Sequence, residues 1–118
     1  MENSTKIAAV HRYVEAFDKA DMEIIKALYA PDAVVEDPVG TEPHVGIDAI
    51  CSFYEGALAS GAKLVLTGSP RCAGNTVAFP FEAQMTGMRM QIIDVFEFNE
   101  AGQISQMRAY WDNDNMIS

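Results

Sequence analysis

A formal net charge of −9 on 118 residues, with 49% apolar and 21% charged side chains, describes an acidic globular chain long enough for one hydrophobic core. The acidity argues against nucleic acid or an anionic membrane as partner, because both require clustered Lys and Arg. No apolar run reaches membrane-spanning length, Met1-Glu2-Asn3-Ser4-Thr5 has no signal-peptide pattern, and no repeat or linker divides the chain. One cytoplasmic domain over residues 1–118 is therefore expected.

Over residues 4–19, Ile7, Val10, Val14 and Phe17 recur at spacings of three and four, with Tyr13 beside them. That pattern predicts a helix, capped by Ser4 or Thr5. A second helix is expected over 21–29, with Met22, Ile25, Leu28 and Tyr29 inward and Pro31 as its stop. Residues 33–36 read as a short strand ended by Asp37-Pro38, and 39–45 as irregular chain rich in Gly and Pro. A third helix runs from 46 or 47 to 58, with Ile50, Phe53, Tyr54 and Leu58 on one side and Gly61 closing it. Cys51 and Cys72 stand far apart in no metal or redox spacing and read as reduced thiols packed as small apolar groups.

The period then changes. Strands are predicted over 63–69, 76–85, 88–98 and 103–111. Turns fall near Ala73-Gly74-Asn75, at Thr86-Gly87 and at Asn99-Glu100-Ala101-Gly102. Pro80 marks an edge or a bulge. Helices first and a twisted antiparallel sheet second, curling around them, is an α+β plan.

The strand over 88–98 carries an anomaly. Its even face holds Met88, Met90, Ile92, Phe96 and Phe98, and among them Asp94. A carboxylate there would lose its hydration with no cation in sight, so it stays protonated or accepts strong hydrogen bonds. Two turns test its facing. If Met85 opposes Met88, then Phe81 opposes Ile92 and Phe79 opposes Asp94. If Phe98 opposes Gln103, then Phe96 opposes Ser105 and Asp94 opposes Met107, with Ala109 and Trp111 continuing that face. Both place Asp94 inside.

A second acid, Asp37, shares a strand face with Ala33 and Val35, while Val34 and Glu36 face the other way. It either caps a turn before Pro38 or stands as a carboxylate at the mouth of the core. Tyr13, Tyr29 and Tyr54 fall one on each predicted helix. They are either ordinary core tyrosines or, with a protonated acid, a cluster of O–H donors suited to an oxyanion. With a separate carboxylate base nearby, the implied reaction is proton abstraction next to a carbonyl, through an enolate.

Several runs carry a resemblance, in order, over about residues 7–112: Arg12-Tyr13-Val14, Ala30-Pro31-Asp32-Ala33-Val34-Val35-Glu36-Asp37-Pro38-Val39-Gly40, Phe53-Tyr54, Ile93-Asp94-Val95-Phe96 with Phe98, and Met107-Arg108-Ala109-Tyr110-Trp111. Together they resemble the bacterial Δ5-3-ketosteroid isomerases (steroid Δ-isomerases) of the nuclear-transport-factor-2-like, SnoaL-like group. That family is itself the standing example of a carboxylic acid held neutral by an apolar site. The resemblance implies three N-terminal helices packed in a conical, strongly curved mixed sheet, a homodimer, and no metal or organic cofactor. It makes Asp37 the base that moves a proton from C4 to C6 of a steroid. Tyr13 and protonated Asp94 would hold the C3 oxygen of the dienolate. Tyr54 and Tyr29 would support Tyr13, while Phe79, Phe81, Met107 and Trp111 would line the pocket, Trp111 bordering Asp37. The hairpin at Thr86-Gly87 is shorter than the family pattern, equally in both arms, which preserves the facing of Asp94.

Other readings stay open. The chain could act on another small apolar carbonyl compound, as polyketide cyclases of the group do, or bind a hydrophobic ligand without catalysis. Convergence of Asp37, Tyr13 and Asp94 discriminates the last. An epoxide hydrolase of this fold would need a water-positioning polar cluster, which the sequence does not reveal. Glu36, Asp37, Glu42 and His44 form a weak metal set, one His with loose acids held extended by Pro38 and Pro43. His11 reads as a solvent-side residue, and the acidic surface as a solubility feature.

Overall fold

In the computed structural model, which describes residues 1–118, the first apolar stripe becomes α1 (Asn3–Lys19), burying Val10, Tyr13, Ala16 and Phe17. Neither Ser4 nor Thr5 caps it: Glu2 occupies the cap position and makes no side-chain cap bond. The helix ends at Ala20, whose left-handed backbone (φ 50) turns its N–H onto the Ala16 and Phe17 carbonyls. Asp21 then caps α2 (Met22–Leu28) by accepting the Glu23 N–H at 2.9 Å.

Tyr29 does not extend α2, as its spacing suggested. It opens β1 (Tyr29–Glu36), a strand longer than the four residues expected. Pro31 biases Ala30 toward extended backbone, and a strand partner makes use of it. The partner is β7 (Ile104–Tyr110), which runs parallel to β1. The sheet is therefore mixed, not purely antiparallel as the alternation alone implied. Residues 39–45, expected to be irregular, end in β2 (His44–Val45), which pairs antiparallel with β1. Gly46 adopts φ 87, open to glycine at little cost, and leads into α3 (Ile47–Ala59).

The remaining strands are β3 (Lys63–Leu66), β4 (Arg71–Ala73), β5 (Thr76–Met85), β6 (Met88–Phe98) and, after a short 3₁₀ turn at Asn113–Asn115, β8 (Met116–Ile117). The sheet order is β2-β1-β7-β6-β5-β3, with β4 on β5 and β8 on β6. The sheet is open and wraps the three helices. β4 and β8 are too short to show a period in the sequence.

The β5–β6 hairpin has the predicted register: Met85 opposes Met88, Phe81 opposes Ile92 and Phe79 opposes Asp94. The β6–β7 register differs from expectation. Phe98 opposes Ile104 rather than Gln103, and a bulge follows, so Phe96 opposes Met107 and Asp94 opposes Ala109. The turn shifts the pairing by one residue and the bulge by one more. Two single shifts restore the parity, which is why Asp94 still points inward.

One cluster of 24 buried residues fills the space between helices and sheet. Alternation along β5 buries Val77, Phe79, Phe81 and Ala83; along β6 it buries Asp94, Phe96 and Phe98. Lys6 is the second buried charged residue, and its Nζ donates to the Gly74 carbonyl at 2.6 Å, tying α1 to the β4–β5 turn. No helix is long and apolar enough to cross a membrane.

Candidate active site

A cavity of about 190 Å³ opens to solvent between α1, α3 and the strands β3, β5 and β6. Tyr13, Tyr54 and Asp94 form its buried end. Phe17, Phe53, Leu64, Phe81, Ala83 and Ile92 make apolar walls, and Asp37, Met85, Met90 and Trp111, all partly exposed, complete the lining with the exposed Ser60. The three residues singled out in the sequence for chemistry, Tyr13, Asp37 and Asp94, thus line one space.

Each acid owes its place to the strand that carries it. Asp94 sits mid-strand in β6, between Phe79 on β5 and Ala109 on β7, and is 1% exposed. Its Oδ1 has no hydrogen-bond partner. Burial drives its pKa well above the usual carboxylate range, the negative charge of Asp37 adds to that, and the neighbouring Tyr13 hydroxyl opposes it. The hydrogen bond that the Tyr13 hydroxyl makes here is to Tyr54.

Asp37 follows β1 immediately, joined to Pro38 by a cis peptide, and continues the inward face of Ala33 and Val35. It is half-buried. The Trp111 indole Nε1 donates to its Oδ1 at 2.7 Å. Burial raises its pKa, while the Trp111 bond and then the nearby His44 pull it down. The same residue type therefore meets two surroundings: a carboxyl with a donor at the rim, and one with an orphan oxygen at the floor.

The tyrosines form a chain. Tyr13 and Tyr54 hydroxyls are 3.1 Å apart, and Tyr54 and Tyr29 hydroxyls 2.5 Å apart. Burial is the main reason that all three phenols titrate well above their ordinary range. Tyr54 is the middle link, supplied by α3, while Tyr29 comes from the start of β1 and stands behind the cavity wall.

Of the expected lining residues, Phe81 and Trp111 border the cavity. Phe79 and Met107 do not: both are wholly buried behind it. Phe79 packs against Phe81 at 5.5 Å and turns its edge to Tyr13 at 6.2 Å between ring centres. Met107 faces Phe96 because the β6–β7 bulge moved it two places from Asp94. Sequence reasoning missed Phe53, Leu64, Ala83, Met85, Met90 and Ile92. Alternation carried the signal for four of them, since Ala83 and Met85 continue the face of Phe81, and Met90 and Ile92 that of Asp94. His44 was weighed only as a metal ligand. It stacks on Phe53 at 4.5 Å, and no group of three or more His, Cys, Asp or Glu side chains gathers to hold a metal ion.

Residues 10–107 match the SnoaL-like domain family. The chain belongs to the SnoaL-like family. It is 40% identical over 114 residues to a steroid Delta-isomerase of Nocardioides simplex, covering 93% of this chain and 92% of that protein. It is 32% identical over 109 residues to the epoxide hydrolase LasB of Streptomyces lasalocidi, covering 84% of this chain but 38% of that longer protein. Among solved structures, SalBIII, an epoxide hydrolase/cyclase-like enzyme of pyran ring formation in the polyether salinomycin, superposes with a TM-score of 0.89 over 98% of both chains. Its 23% identity makes that likeness one of fold. This SnoaL-like chain therefore shares nearly its whole length with a steroid isomerase and its nuclear-transport-factor-2-like fold with an enzyme of pyran ring formation.

Proposed function

We propose that this protein is a steroid Δ-isomerase, converting 3-oxo-Δ5-steroids to 3-oxo-Δ4-steroids. The observation that carries the reading is the buried carboxyl of Asp94, whose Oδ1 has no hydrogen-bond partner, beside Tyr13 in one apolar cavity with the separately held Asp37. Asp37, ionised, takes a proton from C4. The C4–H electrons form a C3–C4 double bond, and the carbonyl electrons move to the C3 oxygen, giving a dienolate. Protonated Asp94 and Tyr13 donate hydrogen bonds to that oxygen in a site with little competing water. Asp37 then returns the proton to C6: the oxygen electrons re-form the C3 carbonyl, the C3–C4 pair becomes the C4–C5 double bond, and the C5–C6 pair forms the new C6–H bond. Tyr54 and Tyr29 hold Tyr13 in place. If the chain donates from Tyr29 to Tyr54 to Tyr13, the Tyr13 proton is left for the ligand.

The walls suit a large apolar substrate, which would shed its hydration on binding. We also propose a homodimer through the outer sheet face, where Ile93 and its cross-strand partner Tyr110 are both about half exposed; light scattering tests this.

Conversion of a 3-oxo-Δ5-steroid, followed by absorbance of the conjugated product, tests the activity. Asp37→Asn should nearly abolish turnover and leave ligand binding intact. Turnover near that of the unaltered protein would sink the assignment. A second reading, in which Asp94 donates to an epoxide oxygen, is favoured by the 32% identical epoxide hydrolase relative. Apart from the acids, tyrosines and Trp111, Ser60 is the only polar lining residue, and its hydroxyl already donates to the Ala57 carbonyl at 2.6 Å. A water for hydrolysis has little to hold it, and an epoxide substrate offered in the same assay separates the two.

A further inference from the structure

His44 takes no part in the chemistry above, yet the sheet places it beside the base. In the β1–β2 ladder it opposes Val35, and Asp37 lies two residues beyond Val35 on the same face. Diagonal neighbours of this kind are within reach of long side chains. The imidazole lies nearly parallel to Phe53, with ring centres 4.5 Å apart and planes at 29°. Phe53 in turn lines the cavity and sets its edge to Tyr54 at 5.0 Å. His44 does not border the cavity itself, so it acts on a ligand only through its neighbours.

The charges around Asp37 give this placement a meaning. Trp111 donates a neutral hydrogen bond. Asp37 also raises the pKa of Asp94, Tyr13 and Tyr29, each of which becomes negative when it ionises. Arg108 opposes Glu36 in the ladder, on the other face of the strand. His44 is the neighbour on the same face that can become positive, and its effect on Asp37 is to favour the carboxylate. Imidazole is the side chain that ordinarily gains charge on mild acidification, the condition under which a buried base loses its own.

We propose that His44 is a positioning residue which, when protonated, keeps Asp37 ionised and, through its stack, fixes Phe53 as a cavity wall. The inference rests on Asp37 being the base, and its test does not require turnover. The Asp37 carboxyl carbon is followed by ¹³C NMR across pH in the unaltered protein, His44→Phe and His44→Arg. Phe keeps the stack without the charge; Arg keeps a charge on a planar group that also stacks. The Asp37 midpoint should rise in His44→Phe, and in His44→Arg lie at or below that of the unaltered protein. The acidic limb of kcat/KM should move the same way. His44→Ala, which loses the stack, should raise KM several-fold while His44→Phe does not. Should His44→Phe fail to fold, His44→Gln carries the charge test. Equal midpoints in all the proteins, or a lower one in His44→Phe, would overturn the proposal. Midpoints that move as expected in a protein that turns over no steroid would leave this inference standing and remove the isomerase reading.

Discussion

Replacing Asp94 by Asn tests whether the floor acid is neutral, and the size of the effect can be worked out beforehand. The substitution keeps shape and polarity but cannot ionise. In the unfolded chain Asp94 titrates near the ordinary value of about 3.9. In the folded chain its pKa is raised well above that, mainly by burial. Between the two values the unfolded state has lost the proton and the native state keeps it. Stability of the unaltered protein then falls with rising pH, by about 1.4 kcal/mol per unit. The contribution is complete below about pH 3.9 and is lost progressively as pH climbs toward the folded value. Asp94→Asn lacks this slope, and the raised pKa of Asp37 acts in both proteins and cancels. Relative to the unaltered protein, Asp94→Asn should gain about 1.4 kcal/mol for each pH unit above about pH 4, up to the pH at which Asp94 ionises in the folded chain. Urea unfolding at a series of pH values measures it. If the gain levels off, the pH at which it does so is the folded pKa of Asp94. Parallel stability curves above pH 4 would mean that Asp94 ionises normally in the folded protein, and the neutral-donor reasoning would be refuted.

Tyr13→Phe and Asp94→Leu should each lower kcat by about 10²–10³, the usual effect of removing one oxyanion donor, with KM changed far less; steady-state kinetics on a 3-oxo-Δ5-steroid checks this. Trp111→Phe removes the 2.7 Å hydrogen bond to Asp37. A bond to a charged acceptor contributes about 1.5–3 kcal/mol, so the acidic limb of kcat/KM should rise by about 1–2 pH units, because the carboxylate form loses its donor. Tyr54→Phe breaks both links of the tyrosine chain and should cost about 1–3 kcal/mol of stability in thermal unfolding, with a smaller fall in kcat than Tyr13→Phe.

The sequence carried the inward placement of Asp94 because side-chain alternation is local and a tight turn at Thr86-Gly87 fixes the hairpin without distant contacts. It did not carry the β6–β7 register, because a bulge leaves no mark on composition. That omission displaced Met107 from the expected cavity wall. Tyr29 shows the same limit from the other side. Its helical spacing was real, but Pro31 and a strand partner 75 residues away in the chain, as the pairing of Tyr29 with Ile104 shows, decided the outcome. The parallel contact between β1 and β7 has no local signature at all. It is nevertheless what brings Asp37 close to Trp111, since Val35 opposes Met107 and Glu36 opposes Arg108 just before them. The indole bond to Asp37 is thus a product of topology, whereas the acid on the apolar strand was visible in a single segment.

Both carboxyls are pushed toward neutrality by the same cause, loss of water in a cavity with apolar walls. Their difference arises in what each is given back. Asp37 receives an indole N–H and a nearby imidazole, both of which favour its charged form. Asp94 receives a phenol that is itself engaged with Tyr54, and one of its oxygens receives nothing. A pair of acids separated in this way can hold opposite protonation states at one pH, which is what a base and a hydrogen-bond donor must do together. Repairing the orphan oxygen of Asp94 with a fixed donor would therefore work against the proposed reaction. It would favour the carboxylate, place a second negative charge near Asp37, and remove the proton that the enolate oxygen needs.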